Sequence, residues 1–357
     1  MIQRRHPHRN ASHVDRIRAD LFSSWANGAV TLILLGLLAW LALRVFDWGV
    51  VNAHWATDAA TCKAATGACW SVIAARWRLI LFGLYPFDEQ WRSAIACLVV
   101  VAAIIAICLP PNWAAGRMFT ILLVAFALFF GFMEGGILGL EEVSPSRWGG
   151  LSLTLFIYLT VITFGLPISI LLALGRQSRY PVIRGILTLV IDVTRSLPLI
   201  TILFSAALIL PLVLPSYLQG DKLMRVLLAF AFFFGCYQSE NVRAGMQALP
   251  AGQGEAAEAL GLRYWQRMRM IILPQAFRIS MPATINQFVI TFKETSLVVI
   301  VGLFDLMASA RAAYNTGEWV PYYAETYMFA GLIYFIGAFS LSRYGAYLER
   351  RMALTER

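Results

Sequence analysis

Eight stretches of this chain are each long and apolar enough to cross a lipid bilayer as a helix: roughly 27–45, 92–109, 118–140, 150–175, 183–213, 223–240, 283–304 and 325–343. A crossing helix needs about 20 largely apolar residues, because every backbone polar group in the hydrocarbon must be bonded within the segment itself. Hydrophobic residues make up 59% of the 357 and charged residues 14%, a balance that a water-soluble domain of this size cannot keep in solution. The expected fold class is therefore an all-α integral membrane protein of about eight transmembrane helices. The fifth run contains Pro198 and Pro211 and is long enough to be tilted, kinked or broken.

The net charge of +9 would suit a nucleic-acid binder if the arginines lay on one face, but they are parcelled into alternate short loops. Arg4 to Arg18, Arg117, Arg176 with Arg179 and Arg184, Arg243 to Arg278, and Arg343 to Arg357 all fall on one side of an alternating topology, which the positive-inside rule makes cytoplasmic. Both termini are then expected on the cytoplasmic side, with no nucleic acid as partner. The polar approach to the first run is too long for a cleaved secretory signal, so that helix is read as an anchor.

The opposite side carries a loop from Phe46 to Gln90 with Cys62 and Cys69 seven residues apart. In an oxidising periplasm a disulfide between them and a pair of free thiols are both open readings. Cys97, Cys108 and Cys236 lie in apolar runs and read as buried packing residues. Trp70, Trp77, Leu79 to Phe82, Tyr85 and Phe87 make the end of that loop half apolar, which suits the membrane interface rather than a ninth crossing.

Residues 1–148 hold three of the runs and the long loop, and 149–357 hold five, the boundary being the polar link Glu141-Glu142-Val143-Ser144-Pro145-Ser146-Arg147. Between the sixth and seventh runs, at about 243–282, lies a basic loop expected in the cytoplasm. In it Glu255 to Leu260 is a strong helix-forming stretch, read with its acidic residues near the helix start and with Gly261 as a left-handed C-terminal cap. The next segment spaces Trp265, Met268, Ile271 and Ile272 on one helical face, with Pro274 expected to stop it.

Glu255-Ala256-Ala257, three residues, Gly261, nine residues, Ile271, one residue and Leu273-Pro274 resemble the EAA loop of ABC importer permeases. Arg243-Ala244-Gly245-Met246, Gly252-Gln253, Pro274-Gln275-Ala276-Phe277-Arg278, Lys293-Glu294-Thr295-Ser296-Leu297 and Gly150 to Leu155 are similar to segments of the polar amino acid permeases. Two positions depart from the commoner pattern: Ser196-Leu197 stands where Gly-Thr or Gly-Val is usual before the proline, and Glu294 where Asp or Asn is frequent.

The resemblance implies a C-terminal five-helix permease core of the MetI-like type over 149–357, preceded by an N-terminal extension like that of the larger permease subunit in general L-amino-acid systems. It implies that a periplasmic amino-acid-binding protein delivers the solute, and that a second permease, homologous but different, completes the path. Two cytoplasmic ABC ATPases, carrying ATP and magnesium, would drive alternating access. Glu255, Ala256, Ala257, Glu258, Leu260 and Gly261 would couple to the ATPase, with Arg243, Gly252, Gln253, Leu273 and Pro274 supporting the loop.

Independently of that resemblance, the only lysines are Lys63, Lys222 and Lys293, and none stands in a phosphate-cradling G-x-x-x-x-G-K-[ST]. The chain is thus not expected to be an enzyme by itself. Four histidines, His6, His8, His13 and His54, show no regular ligand spacing, so neither a metal nor a resident cofactor is expected.

Charged residues within apolar runs are costly and therefore candidates for function. Asp192 and Arg195, three apart on a helix, are read first as neutralising each other and second as path residues. Lys293 and Glu294 are adjacent, point to different faces, and with Thr295 and Ser296 are assigned to the translocation path or permease interface. Rival functions are import of another small polar solute and a non-transporting scaffold that binds a cytoplasmic partner; a secondary transporter is disfavoured by the absence of a detectable inverted repeat.

Overall fold

The computed structural model describes residues 20–56, 62–63, 66–136 and 139–355, with the backbone alone from 352 onward. His6, His8, His13 and the arginines from Arg4 to Arg18 lie outside the described residues. Two compact units are present, Met1–Ala75 and Arg76–Arg357.

The first unit holds α1 (Trp25–Phe46), which opens on Ser24, whose hydroxyl accepts from the Asn27 amide at 3.2 Å. A short lobe follows, in which Cys62 and Cys69 are joined by a disulfide. Trp55 and Trp70 stack there at 5.8 Å, and the Trp70 indole donates to the Gly49 carbonyl at 2.8 Å.

Helices form the second unit, the first of them beginning at Ser71 within the first unit and continuing into the second. In chain order they are α2 (Ser71–Phe82), α3 (Gln90–Cys108), α4 (Ala115–Glu134), α5 (Gly150–Arg176), α6 (Pro181–Ser196), α7 (Leu199–Phe204), α8 (Lys222–Gln247), α9 (Ala251–Ala259), α10 (Leu273–Glu294), α11 (Leu306–Tyr314) and α12 (Tyr323–Thr355). At 12 residues α2 is far too short to span, as its half-apolar sequence implies.

Among the described residues six helices are long and apolar enough to cross a membrane, seven if the bent pair Pro181–Ser196 and Leu199–Val213 counts as one. The sequence shows eight runs, and the difference is α8. This helix has 26 residues but carries Arg225, Gln238, Ser239 and Glu240. They are tolerated because α8 lies inside the protein: Gln238 and Ser239 are fully buried, and the Gln238 amide donates to the Thr284 hydroxyl of α10 at 2.7 Å.

The fifth run is broken rather than tilted, with an angle of 105° between its two parts. Pro198 cannot donate to a continuing helix and forces Leu197 into an extended conformation, so α6 ends there. Leu187 of α6 lies against Gly175, and Ile191 packs with Leu172 and Cys236. Since Asp192 also reaches Arg176, the last residue of α5, α6 lies across the ends of α5 and α8 instead of running back along α5. We call this the basal end.

An aromatic cluster fastens α4 to α5: Phe126 and Phe129 of α4 stack on Phe156 of α5, at 5.8 and 5.2 Å, with Trp148 edge-on to Phe156. At the end remote from the base, the fully buried Arg92 donates to the Phe132 carbonyl in the last turn of α4 at 2.8 Å and to the Glu141 carbonyl of the link that follows at 2.9 Å. At the basal end the Tyr344 hydroxyl of α12 donates to the Cys108 carbonyl at 2.8 Å, and the Arg351 guanidinium sits 5.3 Å from the Trp113 ring.

Candidate functional site: the basal loop and the charged cluster above it

The loop between α8 and α10 is built on a small hydrophobic base. Val242 and Met246 of α8, Ala173 and Leu174 of α5 and Ala276 of α10 are buried together, and Leu249, Met268, Ile272 and Leu273 pack against them. From that base α9 projects as a nine-residue helix of which only Ala257 is buried. Glu255, Ala256, Glu258, Leu260 and Gly261 are exposed, Leu260 at 78%.

The sequence places the start of this helix at Glu255, with acidic residues in the first turn. In the structure it begins at Ala251, directly after Pro250, so Gly252, Gln253 and Gly254 belong to its first turn and no acidic residue does. Pro250 is in an extended conformation and makes the break, which two glycines within a helix had masked.

The end is as read. Gly261 has φ +75°, the Leu262 amide donates to the Ala257 carbonyl at 3.1 Å, and the Gly261 amide donates to the Glu258 carbonyl at 2.9 Å. These paired bonds are a Schellman cap. The Arg267 guanidinium then donates to Glu258 at 2.8 Å and ties α9 to the following turn.

Pro274 does not stop the helix it was expected to end. A four-residue helix, Tyr264–Arg267, passes through a π-turn, Met268–Ile272, into α10, with Pro274 in the first turn of α10. The wider π-turn accommodates the missing amide and the ring, so the chain continues helically. The expected single apolar face is split as well: Met268 and Ile272 join the base, whereas Trp265 is 65% exposed. Gln275 links the loop internally, its side-chain amide donating to the Ile271 carbonyl at 2.9 Å and to Gln253 at 3.4 Å.

Above the loop lies a cluster of charges that sequence spacing paired differently. Asp192 and Arg195 do not neutralise each other. Asp192 accepts from both terminal nitrogens of Arg176, at 3.0 and 3.3 Å, while Arg195 approaches Glu240 at 3.5 Å. Glu240 also accepts from Arg176 at 2.8 Å and from Arg243 at 2.8 Å. Three guanidiniums from α5, α6 and α8 thus converge on one carboxylate whose side chain is 15% exposed. Arg243, assigned from sequence to support of the loop, also donates to Gln247 at 2.7 Å.

Arg176 and Glu240 were missed as site residues. Arg176 reads as a loop cation, and Glu240 as the polar end of an apolar run; the signal was that Glu240 and Arg243 lie three apart on one helix.

The Lys293 to Ser296 segment ends α10 and enters a 3₁₀ turn, Thr295–Val301. Lys293 is exposed and Glu294 partly buried, its Oε2 having no hydrogen-bond partner among the described residues. Thr295 is fully buried, its hydroxyl donating to the Phe292 carbonyl at 2.7 Å and lying 3.5 Å from the Tyr334 hydroxyl. The Ser296 hydroxyl donates to the Lys293 carbonyl at 2.8 Å.

At the far end, Asp305 caps α11 by accepting from the Met307 and Ala308 amides at 3.2 and 3.0 Å, with the Tyr334 hydroxyl at 3.4 Å. Burial pushes its carboxyl up to about 6, against the pull of those hydrogen bonds.

Comparison with known proteins gives concordant matches. Residues 165–354 match a family described as the binding-protein-dependent transport system inner membrane component. An inner membrane amino-acid ABC transporter permease protein of Escherichia coli, YhdY, is 40% identical over 97% of this chain and 96% of its own length. The glutamate/glutamine/aspartate/asparagine transport system permease protein BztC of Rhodobacter capsulatus is 36% identical over 94% of this chain and 93% of its own. A solved structure of an amino acid ABC transporter with histidines is 30% identical and aligns with a TM-score of 0.50 over 57% of this chain and 92% of that one.

Proposed function

Given that the chain belongs to the family of binding-protein-dependent transport system inner membrane components, we propose that it is one permease subunit of an ABC importer that carries L-amino acids from periplasm to cytoplasm. Likeness over nearly the whole chain to permeases named for amino acids supports the solute class. The basal end is cytoplasmic in this reading, as the arginine-rich loops imply, and both termini lie on that side.

The observation that carries the reading is α9: a capped helix whose one buried residue is Ala257, with Glu255, Ala256, Glu258 and the capping Leu260 exposed, tied to the following turn by the Arg267–Glu258 bond. So short a helix is marginal in water unless held, and its cap and anchor hold it ready for a partner. That partner is a separate ABC ATPase, which binds and hydrolyses ATP with magnesium. Glu255, Ala256, Glu258, Leu260 and Gly261 meet the ATPase, while Gly252, Gln253, Arg243, Leu273 and Pro274 shape the loop. Lys293, Glu294 and Ser296 border the path, and Thr295 fixes their turn against α12. A homologous second permease supplies the other half of the path, and a periplasmic binding protein delivers the solute.

Co-purification tests the reading. Membranes containing the full assembly are solubilised, and the ATPase is measured with a tagged form of this chain. Wild type should retain the ATPase, and Leu260→Asp together with Gly261→Asp should lose it while the chain stays in the membrane. Equal retention by both would refute docking through α9.

A further inference from the structure

The cluster around Glu240 joins three helices at the base, the ends of α5 and α6 and the last turns of α8. Arg176 ends α5, Asp192 and Arg195 belong to α6, and Glu240 and Arg243 lie within the last two turns or so of α8. The Tyr237 hydroxyl donates to the Arg195 carbonyl at 3.0 Å, and the Arg195 guanidinium lies 5.3 Å from the Tyr237 ring, so the last turn of α6 is held to α8 on both backbone and side chain. Only Ala248, Leu249 and Pro250 separate α8 from α9. A displacement of α9 therefore reaches the Glu240 turn through that three-residue link and the last turns of α8.

We propose that Glu240 is a positioning residue that transmits movement of α9 to α6, and through the 105° bend at Leu197-Pro198 to α7 and the segment ending at Val213. The proposal rests on the reading that α9 docks an ATPase and goes beyond it by naming the route inward. Its physical basis is charge. With Glu240 ionised, three guanidiniums face two carboxylates and α6 follows α8. With Glu240 replaced by glutamine, three guanidiniums face Asp192 alone, whose side chain is 51% exposed and screened by water. Arg176, Arg195 and Arg243 then repel one another and the charged tie between the last turn of α6 and α8 is lost. Ile191 against Leu172 and Cys236, and the Tyr237 hydroxyl on the Arg195 carbonyl, still seat α6, but without the charged tie its last turn no longer follows the Glu240 turn of α8.

The test uses the complete reconstituted importer, with spin labels at Leu189 on the exposed face of α6 and Phe335 on the exposed face of α12. Wild type should show a change in the Leu189–Phe335 distance between nucleotide-free and ATP-trapped states. Glu240→Gln should keep ATP hydrolysis within about threefold of wild type, lose the distance change and lower amino-acid uptake about tenfold, the scale of a coupling free energy of 1–3 kcal/mol. Glu240→Asp, which keeps the carboxylate, should restore part of both. Arg195→Gln leaves Glu240 paired with Arg176 and Arg243, so it keeps the fold should Glu240→Gln unfold, and it should lose the same distance change. A wild-type distance change in Arg195→Gln or Glu240→Gln would overturn the proposal. Absence of any ATP-dependent change in wild type would instead count against the importer reading itself.

Discussion

Gly245 of α8 lies against the backbone of Ala276 of α10 so closely that a methyl group added at Gly245 would overlap the Ala276 carbonyl oxygen. The obstacle is backbone, not the end of a flexible side chain, so the two helices would have to separate. Gly245→Ala should cost about 1–3 kcal/mol, the usual penalty of overpacking, and lower the thermal midpoint of the detergent-solubilised protein. At Gly252 nothing lies within 4 Å of an added Cβ, so Gly252→Ala should leave that midpoint unchanged or raise it through helix propensity.

Gly261 differs from both, because an added Cβ meets no neighbour and the constraint is the backbone alone. At φ +75° a side-chain-bearing residue costs about 1–2 kcal/mol, and a β-branched one more. Gly261→Asn should retain most uptake, whereas Gly261→Val should lose it, with equal amounts of both variants in the membrane. Uptake of labelled amino acid by cells carrying each variant, normalised to protein by immunoblot, distinguishes them.

Asp305 should make stability depend on pH. Its folded-state value of about 6 lies above the ordinary 3.8, so between these values the folded protein holds a proton that the unfolded chain releases. The contribution is complete below the unfolded value and is lost as pH rises through about 6. Thermal midpoints measured from pH 4 to pH 7 should carry a falling component that Asp305→Asn removes, since asparagine still caps α11 but does not titrate.

Cysteine accessibility checks the first unit. With Cys62 and Cys69 bonded, alkylation of the unfolded, unreduced chain should modify Cys97, Cys108 and Cys236 only, and all five cysteines after reduction. Mass spectrometry of the alkylated protein reads the difference directly.

What could be read from the sequence was what depends on local pattern. Apolar runs locate the crossing helices because bilayer thickness imposes a length, and Gly261 marks the end of α9 because only glycine takes its backbone angle without cost. Long-range geometry was hidden. Asp192 pairs with Arg176 only because α6 lies across the base, which no spacing within α6 reveals. Pro274 reads as a stop, yet a π-turn before it absorbs the missing amide. Glu255 reads as a first-turn residue because Gly252 and Gly254 obscure the turn that precedes it. The sixth run carries polar residues that look costly in lipid until α8 is seen inside the bundle.

The central claim, that this chain is the permease half of an ATP-driven amino-acid importer, is tested most directly by ATP hydrolysis in proteoliposomes. The chain is reconstituted with its mate and ATPase, and turnover is measured with binding protein empty or loaded with single L-amino acids. Stimulation by binding protein loaded with particular amino acids is the predicted result. An assembled complex whose hydrolysis responds to no amino acid would contradict the account and leave another solute, or a scaffold, in its place.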